Sequence, residues 1–338
     1  MDRLLRRKLD AIARNRTSGA TELALEAVTA LQAWLRRNPK PTETELLEIA
    51  RALLRAQPSM APILRLANSV ALAADHKNPP EAVARAATNT RAVLRMAPSR
   101  IARRFAAALR RRPRWSIATY SYSSTVVEAL RHARPRIRSV RCSESRPGLE
   151  GRAMARRLAS AGIHVVLETD ASLFSRAQEE DLIVLGADQI GERSFVNKIG
   201  TETIVARASD AGKPVWVLAD TIKFLPRELS IVASRSARRP QPGWEVWRNP
   251  PRRVAVSNDY FEPTQFRSGV RVLTERGWMT PAQVRRELGK IRVSPRWKDV
   301  ANWQVHASRL SCRIPFGGDG GEKCQVEARR CRRTSDPR

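Results

Sequence analysis

Aromatic residues are scarce in this chain, 5% of 338 residues. A core built from it must rest on Ala, Leu, Val and Ile. Cysteine is rarer still. Of Cys142, Cys312, Cys324 and Cys331, three crowd the C-terminal end at spacings that match no metal-site template. Neither a disulfide framework nor a metal site is expected, and a reducing, cytoplasmic location follows. Long apolar runs are missing: none approaches the roughly 18 residues of a membrane span, so no membrane partner is expected. The first residues, MDRLLRRKLDAIARNR, lack the apolar stretch of a signal peptide and read as a helix. Gly-x-Gly-x-x-Gly and Gly-Lys-Ser/Thr are both absent, which excludes the usual dinucleotide and ATP signatures and leaves no cofactor to expect. No Gly-x-Ser-x-Gly elbow supports a serine hydrolase.

Acidic residues are outnumbered, 33 against 62 Lys and Arg, for a net charge of +29 carried mostly by arginine. Such a charge invites a nucleic-acid reading. The arginines are scattered through every segment, however, with no basic block longer than three residues and no zinc-finger, RNA-recognition or KH signature. Non-specific phosphate affinity is expected, and a dedicated nucleic-acid site is not.

The pattern predicts an α/β protein. Residues 1–112 read as a helical domain, with helices over Ala20–Leu35, Glu43–Ala56, Met60–Ala74, Glu81–Met96 and Ser99–Arg111 after the first. From Trp115 the period changes. Short apolar runs at Ser116–Tyr120, Arg136–Cys142, His164–Glu168, Asp181–Gly186 and Pro214–Ala219 alternate with helices, which means βαβ units and a Rossmann-like parallel sheet over residues 113–290. A strand at Val270–Leu273 and a helix from Thr280 to Leu288 close that region. Residues 234–253 read as an exposed Pro- and Arg-rich loop, and residues 291–338 as a disordered basic tail.

One stretch organises the rest, Asp181–Thr201, DLIVLGADQIGERSFVNKIGT. Asp188 follows a strand's carboxyl end, where ligands of open parallel sheets sit. Asn197 and Lys198 are expected to open a helix facing it, a favourable place for a phosphate. The same residues also fit a helix cap and a solvated lysine, and both readings stay open at this level. Ser121, Ser123 and Ser124, after the first strand, can cradle oxyanions with backbone N–H groups or serve as N-caps.

Several motifs in order resemble the family of eukaryotic initiation factor 2B alpha, beta and delta subunits, which also holds methylthioribose-1-phosphate and ribose-1,5-bisphosphate isomerases. They are Tyr120–Val126, Glu144–Gly151, Gly186-Ala187-Asp188, Asn197–Thr201, Thr221–Phe224, Asn258–Thr264 and Thr274–Gly277. Arg16–Ala20 is similar to the family's N-terminal phosphate-side segment, bringing Ser18, Gly19 and Ala20 to the ligand. The resemblance implies a sugar-phosphate or nucleotide pocket between a helical and a Rossmann-like domain, holding Arg146, Asn197 and Lys198. It also implies assembly into homo-dimers or higher oligomers through the C-terminal domain, and a translation initiation factor as partner.

In the isomerase branch a Cys and an Asp move the proton between aldose 1-phosphate and ketose. Asp188 stands at the Asp position. Ser121 stands at the Cys position, and a serine hydroxyl is a poor acid/base at neutral pH. The expectation is therefore a regulatory, non-catalytic subunit that binds a phosphorylated sugar or nucleoside monophosphate. The alternative is an aldose–ketose isomerase in which Ser121, or Cys142 on the same rim, does the proton transfer.

Overall fold

Asp181 fixes the register of the molecule's central strand pair. Its carboxylate accepts from the Ser116 N–H and hydroxyl, each at 2.9 Å. That clamp starts β1 (Trp115–Ala118) and β4 (Leu182–Gly186) side by side as parallel neighbours. Around them the computed structural model, which describes residues 1–15, 19–237 and 241–297, builds a seven-stranded sheet. The other strands are β2 (Ile137–Ser143), β3 (Val165–Glu168), β7 (Val215–Leu218), β9 (Val270–Thr274) and β10 (Gly277–Met279). Their spatial order is β10-β9-β7-β4-β1-β2-β3, all parallel except the edge strand β10. The chain runs outward from β1 to β3, then returns to β4 on the other side. The switch point therefore lies between β1 and β4, where ligands of this sheet type bind.

Period-two alternation gives the sheet two cores. Ile117, Leu182 and Val184 face one side, where α6 (Ser124–His132) and α7 (Glu150–Ser160) pack. Ala118, Ile183 and Leu185 face the other, covered by α8 (Asp170–Arg176), α9 (Thr201–Asp210) and α11 (Pro281–Gly289). A second, antiparallel sheet joins β5 (Gln189–Ile190), β6 (Ser194–Lys198) and β8 (Phe261–Gln265).

Ahead of the sheet run α1 (Arg3–Arg14), α2 (Ala20–Arg37), α3 (Glu43–Ala56), α4 (Ala61–Ala74) and α5 (Pro79–Ala108). Thr42 and Glu45 form a capping box that sets the start of α3. The expected break between Glu81–Met96 and Ser99–Arg111 is absent: α5 is continuous through Pro98. Proline costs a helix interior about 3 kcal/mol. Ala97, Ile101 and Phe105, all fully buried against the sheet, more than offset that loss.

Two more expectations need correction. Asn197 and Lys198 close strand β6, and the helix begins only at Thr201 after Gly200 turns the chain at φ 100°. The reason is pairing: β6 aligns Asn197 and Lys198 with Glu262 and Phe261 of β8. The Pro- and Arg-rich loop begins later than expected, because α10 (Arg227–Ala237) continues into it. Helix α7 opens at Glu150, preceded by Leu149 in the left-handed region. The expected basic tail from residue 298 onward lies outside the described residues. Among the described residues no helix is long and apolar enough to cross a membrane.

Candidate functional site

The turns that follow β1, β2 and β3 are laced together. Asp170, first residue of α8, accepts from the Ser143 hydroxyl at 2.6 Å, the Ser145 N–H at 2.8 Å and the Arg146 N–H at 2.7 Å. Ser145, fully buried, accepts in turn from the Ser121 N–H at 3.1 Å. Both serines sit at positive φ, 61° and 62°. Residues other than glycine hold that conformation only where their surroundings impose it. The lacing imposes it here, and it presents the Ser121 hydroxyl to the rim.

That hydroxyl donates to Glu150 Oε1 at 3.2 Å, and the same oxygen pairs with Lys198 Nζ at 2.7 Å. Lys198 is nearly sealed from solvent, its side chain 4% exposed, and its ammonium lies 5.3 Å from the centre of the Tyr260 ring. On the β4 side, Lys223 Nζ donates to the Ala187 carbonyl at 2.7 Å, next to Asp188. Burial lifts the Asp188 carboxyl above its ordinary range and Glu150 adds to the shift, while Lys223 and Lys198 oppose it. A carboxyl so placed keeps its proton to higher pH and can donate it to a ligand oxygen.

Ser121, Asp188 and Lys198 are therefore brought together. Ser123 approaches β4 so closely that a Cβ on Gly186 would lie 2.7 Å from its hydroxyl, and Ser123 also caps α6 through Val126 N–H. Ser124 opens α6 with an exposed side chain. Asn197 is buried against Thr201, to whose hydroxyl its amide donates at 3.1 Å. Arg146 turns its guanidinium to the Val246 carbonyl. Gly19 caps α2 and Ala20 begins it, with open space where a Gly19 side chain would be. Ser18 lies outside the described residues. The segment leading to it is nonetheless anchored, since Gln57 donates to the Ile12 and Asn15 carbonyls. Two residues on, the Ser59 carbonyl accepts from Gln189, the neighbour of Asp188.

The N-terminus of α9 is not open to a phosphate. Glu262 Oε1 already accepts from the Gly200 and Glu202 N–H groups, each at 2.8 Å. Cys142 is fully buried in β2, its thiol pushed up to about 12 by burial and by Glu168. It is protonated near neutrality and makes a poor proton carrier.

Four residues of the site were not singled out by the sequence: Glu150, Lys223, Tyr260 and Glu262. All four fell within recognised motifs but carried no spacing signal, and Tyr260 and Glu262 are brought to the site by the β6–β8 pairing. Among the described residues no group of His, Cys, Asp and Glu could hold a metal ion. The groups present, two buried ammonium groups, a hydroxyl and a carboxyl whose hold on its proton burial strengthens, suit a phosphorylated polyol.

The model of the Initiation factor 2 subunit family matches residues 16–281. Over 226 residues the chain is 29% identical to a translation initiation factor eIF-2B subunit 2-like protein of Pyrococcus horikoshii, covering 63% of this chain and 76% of that one. Over 135 residues it is 33% identical to the ribose 1,5-bisphosphate isomerase of Archaeoglobus fulgidus, covering 38% of this chain and only 43% of that enzyme. Among solved structures, the translation initiation factor eIF-2B of P. horikoshii superposes with a TM-score of 0.65 at 25% identity, covering 83% of this chain and 98% of that one. The 5-methylthioribose 1-phosphate isomerase of the same organism shares the fold, with a TM-score of 0.59 at 21% identity over 85% of this chain and 86% of that one.

Proposed function

Because the chain belongs to the Initiation factor 2 subunit family, we propose that it is a regulatory, non-catalytic subunit of the initiation factor 2B type. It binds a phosphorylated sugar or a nucleoside monophosphate at the carboxyl rim between β1 and β4. The observation that carries this reading is Lys198, a buried ammonium held by Glu150 beneath Ser121, in a site whose turn after β1 offers a hydroxyl and no thiol. Lys198 and Lys223 neutralise the phosphate, Ser121 and Ser123 bond to sugar hydroxyls, and Asp188 donates to a ligand oxygen. Residues 1–112 act as the helical domain closing over the site, and residues 113–290 as the ligand-binding and oligomerisation domain.

The exposed Trp244, Val246 and Trp247, on the loop that Arg146 engages, form the contact of a homo-dimer or higher oligomer. A translation initiation factor is the partner, and the protein is cytoplasmic. Thermal melts with ribose 1,5-bisphosphate, methylthioribose 1-phosphate and nucleoside monophosphates test the reading. A ligand at 100 times its dissociation constant stabilises by about 2.7 kcal/mol. Turnover of either sugar phosphate, abolished by Asp188→Asn, would overturn it in favour of the isomerase.

The isomerase is the second reading, supported by the raised Asp188 carboxyl facing the Ser121–Glu150 pair. It predicts turnover that Ser121→Ala removes while ligand affinity persists.

A further inference from the structure

A second cleft shares with the rim site the Thr221–Phe224 turn, which carries Lys223, but is lined by none of Ser121, Asp188 or Lys198. It is lined by α4, α5, the turn Thr221–Phe224 and the chain that follows α11. Its volume is about 570 Å³, within the range of small-molecule sites. Arg65 lies in this cleft, half-buried, and its charge is uncompensated. Nη1 donates to the Phe224 carbonyl at 3.1 Å, and no carboxylate reaches it among the described residues. Burial and the nearby Arg276 pull its guanidinium down to about 10, so it is still charged at neutral pH.

The two carboxylates that line the cleft are committed elsewhere: Asp75 pairs with Arg296, and Glu287 with Arg276 and Lys290. Arg292, on the exposed lip, makes no ion pair among the described residues. A guanidinium removed from water without a counter-ion is costly, and a dianion is its best partner. Ser69 and Thr221 border the same space with their hydroxyls donated to the Arg65 carbonyl and to Glu275, and Leu72, Val93 and Ile222 give it an apolar wall.

We propose that this cleft is a second binding site, distinct from the rim site, for a phosphomonoester of about nucleotide size, with the phosphate on Arg65 and Arg292 and the body against the apolar wall. Nothing in this assignment depends on what the rim site binds. The test uses the full chain, with AMP, inorganic phosphate and adenosine as probes at constant ionic strength in equilibrium dialysis. Lys198→Met silences the rim site. In that background AMP and phosphate bind at one equivalent per chain, and adenosine does so at least tenfold more weakly than AMP. Adding Arg65→Gln weakens AMP at least tenfold. Should Arg65→Gln fail to fold, Arg292→Gln, exposed and unpaired, is expected to weaken AMP about threefold. AMP affinity unchanged by both substitutions, or binding without a defined stoichiometry, would overturn the assignment.

Discussion

Lys198 and Glu150 meet at 2.7 Å across two elements that are far apart in sequence, the end of β6 and the start of α7. The ammonium is almost fully buried and the carboxylate only partly so, its side chain 30% exposed. Removing one partner of such a pair leaves the other charge stranded. Glu150→Gln is expected to cost about 3 kcal/mol, near the lower end of values for broken buried pairs. Lys198→Met should cost less, because the freed carboxylate can reach water. The double variant should lose less than the sum of the two, and denaturant melts of the three proteins measure the difference. Inorganic phosphate should restore part of the loss in Glu150→Gln by supplying the missing negative charge, and no restoration would argue against an anion site at Lys198.

Asp188 carries a stability cost that depends on pH. Its folded carboxyl lies above its ordinary value of 3.8 because burial disfavours the charge. Below that value both states hold the proton and the cost vanishes. As pH rises past it the unfolded chain releases its proton first, so stability falls until the folded carboxyl also ionises, and the full cost persists above that point. Asp188→Asn should therefore raise the melting temperature near neutral pH, by about 2–4 °C for each kcal/mol recovered, with the gain shrinking toward acid pH. A lower melting temperature at neutral pH would mean that Lys223 and Lys198 outweigh the burial.

Cys142 should be chemically silent. With Cys312, Cys324 and Cys331 replaced by Ser, native protein is expected to resist iodoacetamide near neutral pH and to react only on unfolding. Burial and a thiol pushed up to about 12 both withhold the thiolate. Rapid alkylation of the native protein would reopen Cys142 as a proton carrier.

Gly200 is where strand becomes helix. Its φ is +100°, and a Cβ there would stand 2.2 Å from the tip of the Phe174 ring. Gly200→Ala is expected to cost about 2–4 kcal/mol from left-handed strain and overpacking together. Gly212→Ala, at φ +65° in open space, should cost only the strain. Adding Phe174→Leu to Gly200→Ala should recover part of the loss, and calorimetric melts compare the three.

The parallel sheet was legible in the sequence because its strands are short apolar runs punctuated by turns, and Leu182–Leu185 shows this at its clearest. Helix α3 was legible to the residue because Thr42 and Glu45 form a local signal. The site was legible only in part. Asp188 and Ser121 follow strand ends that periodicity locates, whereas Asn197 and Lys198 were expected on a helix that strand pairing with β8 postpones. The break expected at Pro98 failed for a related reason: a local rule met a larger burial term.

What the sequence determined by itself was the set of segments, their periods and the order of the motifs, since those depend on neighbours a few residues away. Tertiary structure alone decided that β1 and β4 are adjacent and that Glu150 neutralises Lys198. It also decided that Glu262 occupies the α9 N-terminus and that Arg65 faces an open cleft without a counter-charge. Those four facts depend on pairings between residues far apart in the chain, and burial, rather than local preference, fixes them.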